Sequence, residues 1–143
     1  MTTITEDYVS FEIAKLLKEK GFDEKCKTYY KVFPEDRIAA IYHSSENRGV
    51  SEDDPNEILC PTLQMAMKWL REVHKLAITV SIGNENNKGN TDYSNPDRWF
   101  YFFDITNEKG VVIDTEYDPL SNEFPTYEEA CETAIKYCLE HLI

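Results

Sequence analysis

Apolar residues recur at two different spacings along this chain, and the switches between them predict three helices separated by runs of strands. Val9, Ile13, Leu16 and Leu17 follow a helical period, while Glu12, Lys15, Lys18 and Glu19 fall on the opposite side. Ser10 is placed to cap that helix, Gly21 to end it in the left-handed conformation, and Phe22 to fold back on its last turn. Thr28 to Phe33 and Arg37 to His43 are rich in aromatic and β-branched residues and flank Pro34-Glu35-Asp36, which predicts a short hairpin. Residues 44–58 are polar and acidic with neither period, and read as a surface loop.

A Pro61-Thr62 step then opens a second helix, with Leu63, Ala66, Met67, Leu70 and Val73 as its apolar stripe and Trp69 at the flank. Leu76 to Ile82 alternates strictly between apolar and small or polar residues, the pattern of a strand with one buried face. Residues 83–97, rich in Asn and Gly, form a loop long enough to be either functional or mobile. The same Pro-Thr step returns at Pro125-Thr126. Thr126 and Glu129 have capping-box spacing, and Tyr127, Ala130, Cys131, Ala134, Cys138 and Leu142 supply the stripe of a helix expected to run to Ile143.

Between the long loop and the last helix, Arg98 to Asn107 and Val111 to Tyr117 flank Glu108-Lys109-Gly110. A four-residue loop would set Phe103 against Asp114 and Tyr101 against Glu116, mixing aromatic and acidic side chains on one face. A three-residue loop with Gly110 left-handed instead pairs Ile105 with Ile113, Phe103 with Thr115 and Tyr101 with Tyr117, which gives one consistent apolar face. The order is then α-β-β-α-β-β-β-α. It implies an α+β fold, a largely antiparallel sheet packed by helices, in a single domain spanning 1–143.

That register also generates the chain's best candidate for chemistry. It places Asp104 directly opposite Asp114, with Glu116 two residues along, and opposed carboxylates need water, a base or a cation between them. Such a cluster would suit a divalent-metal-dependent hydrolase, although exposed acids at a hairpin end are commoner than metal sites. Phe100 and Phe102 share the face of those acids. They are covered either by a helix of the same domain or by a contact surface with a partner or a second copy.

Composition narrows the function further. The formal charge of −12 is uneven: Lys and Arg minus Asp and Glu is +2 over 61–82 but −7 over 107–143. An acidic surface repels phosphate backbones and anionic membranes and favours a basic protein partner. From Thr62 onward the expected order matches that of a double-stranded RNA-binding domain, but Glu128, Glu129 and Glu132 stand where that module needs bases, so nucleic-acid binding is not expected. Mimicry of nucleic acid ranks lower, because much of the acid lies in loops. The N-terminus lacks a signal peptide's pattern, and no apolar run approaches the ~20 residues of a membrane span, which points to the cytoplasm and no membrane.

The four cysteines, Cys26, Cys60, Cys131 and Cys138, show no C-x-x-C spacing and read as free, buried thiols. Cys138 and His141 are an i, i+3 pair without a matching second pair, so no metal is expected, nor any other cofactor. His43, His74 and His141 stand far apart, and no phosphate loop, nucleophile elbow or zinc-protease motif is present, which makes an enzyme the lesser expectation. The segments 10–22, 61–74 and 127–143, which hold all three helices, resemble short uncharacterised proteins encoded by gut anaerobic bacteria and their phages. The resemblance carries no activity or site residue; it implies a phage-related or other mobile-element accessory protein. The function expected is therefore non-enzymatic interaction with a protein.

Overall fold

The computed structural model describes residues 4–33, 38–51, 54–84, 99–115 and 122–143, without the side chains of Ile38 and Ala39. The expected class forms: an α+β fold of three helices and five strands in two antiparallel sheets. In chain order the elements are α1 (Phe11–Glu19), β1 (Cys26–Phe33), β2 (Ile38–Arg48), β3 (Glu57–Leu59), α2 (Leu63–His74), β4 (Ala77–Asn84), β5 (Trp99–Thr106) and α3 (Tyr127–Tyr137). A π turn, Cys138–Leu142, follows α3. Strand order is β2-β1-β3 in one sheet and β4-β5 in the other.

Local signals at the helix ends act as their chemistry requires. The hydroxyls of Ser10, Thr62 and Thr126 accept from the N–H groups of Ile13, Met65 and Glu129. α1 closes in a Schellman ending, with Phe22 N–H donating to Leu17 O at 2.9 Å and Gly21 N–H to Lys18 O at 3.1 Å, and Gly21 has φ +89°. Ile13, Ala14 and Leu17 of α1 enter the core, as do Leu63, Ala66, Met67 and Leu70 of α2. Val73, expected in the stripe of α2, is instead 54% exposed, and Trp69 takes the inner position at 5%. The buried arc is turned toward the indole, which lies edge-on to Phe22 and His74.

α3 departs from a plain helix in an instructive way. Its buried residues come as adjacent pairs, Ala130 with Cys131, Ala134 with Ile135, and Cys138 with Leu139, so the repeat is four residues. A regular helix would rotate such a stripe by about 40° per repeat. The wider π turn from Cys138 cancels part of that drift and keeps Cys138 and Leu139 inside. The expected α-helix to Ile143 thus ends at Tyr137.

Two strand assignments also differ from expectation. Residues 44–48 continue β2, and residues 57–59 form β3, where a loop was expected throughout 44–58. β3 is buried along its length, and its Glu57 carboxylate is paired with Arg48, whose guanidinium also lies 4.4 Å from the centroid of the Tyr29 ring. Polar residues at an edge strand leave no alternating signature, and a strand of three residues is specified by its neighbours. Conversely, Val111 to Tyr117 contributes only an isolated bridge at Val112 among the described residues, so two strands, not three, stand between α2 and α3 there.

Candidate functional site

The turn after β5 forms as its residues predict. Gly110 has φ +75°, Asn107 N–H donates to Val111 O at 3.0 Å, and Ile113 N–H donates to Ile105 O at 2.7 Å. The Asn107 Oδ1 accepts from Lys109 and Val111 N–H and holds the loop closed. Ile105 and Ile113 therefore face the same core, and Asp104 and Asp114, the next residues outward, are both exposed.

At Phe103, the N–H donates to Asn122 Oδ1 at 3.2 Å and the C=O accepts from Asn122 Nδ2 at 2.8 Å, where the expected register set Thr115. Tyr101 exchanges both backbone bonds with Phe124, each 2.8 Å, in place of the expected Tyr117. An amide side chain and a later segment thus supply what the longer hairpin would have supplied. Glu116 and Tyr117 lie outside the described residues, as does all of the 83–97 loop past Asn84. Across β4, the neighbour of Asp104 is Thr79, and no group of three His, Cys, Asp or Glu able to hold a metal occurs among the described residues.

Phe100 and Phe102 are half-buried, with ring centroids 6.3 Å apart. Phe100 lies flat over its cross-strand partner Gly83: a Cβ there would meet the ring at 2.2 Å. The opposite face of β5 carries Phe103 and Ile105 into the core, where α3 packs against the strand.

A second acidic place was not visible in the sequence. Val9 N–H bonds Pro61 O (3.1 Å) and Leu63 N–H bonds Asp7 O (2.9 Å), which lays residues 7–9 alongside the start of α2. Gln64 Nε2 donates to the Tyr127 hydroxyl at 3.1 Å and brings the start of α3 next to it. Between them lies a cleft of ≈ 270 Å³ that includes Glu6, Asp7, Gln64, Tyr127 and Glu128 in its wall, with no basic residue. The two helix starts offset part of the charge of these carboxylates, and no ion pair joins them among the described residues. The Tyr127 phenol is raised: the Gln64 hydrogen bond lowers it, but burial, the Cys131 thiol and the Glu128 charge together prevail. The repeated Pro-Thr step was a signal for two helix starts. Their adjacency is tertiary, and nothing local encodes it.

No protein family, curated protein or solved structure matches this chain, so the reading of its sites rests on their chemistry. All four cysteines are buried free thiols. Burial pushes Cys26 and Cys131 up to about 11 and Cys60 and Cys138 up to about 12, the opposite of what a nucleophile needs. Cys138 is fully buried while His141 is exposed beside Tyr137 and Glu140, so they do not converge on a metal. His43 and His74 sit on β2 and α2. No helix among the described residues is long and apolar enough to cross a membrane.

Proposed function

We propose that this protein is a non-enzymatic accessory protein of the cytoplasm, whose cleft between the starts of α2 and α3 receives a basic side chain of a protein partner. The observation that carries the reading is the set Glu6, Asp7 and Glu128 around a ≈ 270 Å³ cleft with no base in its wall. A Lys or Arg side chain entering there gains three carboxylates and the Tyr127 hydroxyl, and a nucleic-acid phosphate would be repelled. Four free thiols are in keeping with a reducing compartment. A mobile-element role is what the resemblance of segments 10–22, 61–74 and 127–143 implies.

A short peptide carrying Lys-Arg pairs is a suitable calorimetric probe. Binding is expected to weaken as salt rises, and the combined variant E6Q/D7N/E128Q to lose about tenfold in affinity. A control with the same change in charge, E46Q/D104N/D114N, should stay close to the parent. Equal losses in both variants would show an unspecific charge effect and end the cleft reading.

A further inference from the structure

The open edge of β2 has no role in anything described above. The bonds from Val32 N–H to Asn56 O and from Cys60 N–H to Thr28 O, both 2.9 Å, show that the even-numbered residues of β1 turn their backbone groups toward β3. Its odd-numbered residues therefore bond β2, and Ala40 and Tyr42, which lie across from Lys31 and Tyr29, point N–H and C=O inward. Ile41 and His43 point theirs outward, where they meet no partner among the described residues. The side chains are open too. Ile41 is 43% and Tyr42 40% exposed, on opposite faces of the strand.

Natural edge strands are guarded by lysine, proline, a bulge or a cover. From Ile38 to His43, β2 has no Lys, Arg, Asp, Glu or Pro, and the register shift of this hairpin falls past that stretch, between the pairings of Thr28 with His43 and of Cys26 with Arg48. In a chain of net charge −12, such a neutral strand is where two copies approach with least repulsion. β4 also ends its sheet with an uncharged edge, but it leads directly into residues 85–98, which are outside the described residues.

We infer that two copies of this chain pair along β2, antiparallel about a two-fold axis at Ile41, and so join their three-stranded sheets into one of six strands. Ile41 N–H of each copy donates to Ile41 C=O of the other, and the two side chains meet across the axis. Tyr42 then stands across from Ala40, and His43 across from Ala39. Pairing of a strand with itself matches every outward donor to an identical acceptor, and it asks nothing of the acidic surface elsewhere.

Light scattering on a size-exclusion column, with amide hydrogen exchange, tests this. The mass should rise with concentration toward twice 16.7 kDa, and rise further with added salt as repulsion is screened. The Ile41 and His43 amides should become protected in step. Ile41→Lys should run as a monomer and melt where the parent melts at dilutions that keep the parent monomeric, and Tyr42→Glu, 40% exposed on the other face, repeats the test if the first variant melts early. A parent of 16.7 kDa at every concentration and salt overturns the inference, as does a dimer that persists in both variants.

Discussion

At position 83 the ring of Phe100 occupies the space where a side chain would begin. The backbone of Gly83 pairs with Phe100 in the ladder, so the ring covers the glycine as the missing side chain of β4. A methyl group would force the ring off the strand, and Gly83→Ala should destabilise the protein by about 1 kcal/mol or more. Gly49→Ala, where a Cβ meets nothing within 4 Å, is the control and should shift the urea midpoint little. The same position explains why the sequence ends this strand too early: a glycine after an apolar run reads as a breaker, and the ring that compensates it comes from the following strand. Asp104 and Asp114 were legible because only three residues close their turn. Glu6, Asp7 and Glu128 were not, because they meet through contacts between distant segments.

Elements in this fold are most legible at their ends. The three caps, Ser10, Thr62 and Thr126, and the left-handed stops, Gly21 and Gly110, all depend on neighbours within a few residues, and all form. Thr62→Ala and Thr126→Ala should each cost about 1 kcal/mol of stability, read from urea unfolding, because each leaves an N–H of the first turn without its acceptor. Elements defined by pairing are another matter. β3 exists because β1 has a second edge to fill, and Asn122 and Phe124 take bonds of Phe103 and Tyr101 that were expected to go to the run after Gly110. Neither competition leaves a trace in local periodicity. The exposure of Val73 belongs to the same class, since it follows from where Trp69 finds Phe22.

For the molecule as a whole, the buried thiols set a limit at alkaline pH. Their folded values, about 11 to about 12, lie above the ordinary thiol value, so below about pH 8.5 both states hold the protons and stability is unaffected. As pH rises past that, the unfolded chain releases protons that the folded chain keeps, and folding stability falls. The urea midpoint should be flat between about pH 7 and 8.5 and then drop, with a shallower drop in Cys131→Ala. A flat profile to about pH 10 would show that the thiols are not the controlling groups.

The first and last helices are tied at both ends of α1. Glu132 Oε1 accepts from Ser10 N–H at 2.8 Å, Lys136 reaches Glu12 at 2.9 Å, and Lys20 Nζ donates to Ile143 O at 2.9 Å. The ribosome therefore releases the greasy side of α1 long before the residues that close over it have been made. α1 cannot settle until residues 127–143 have been translated, and until then it is a natural client for chaperones.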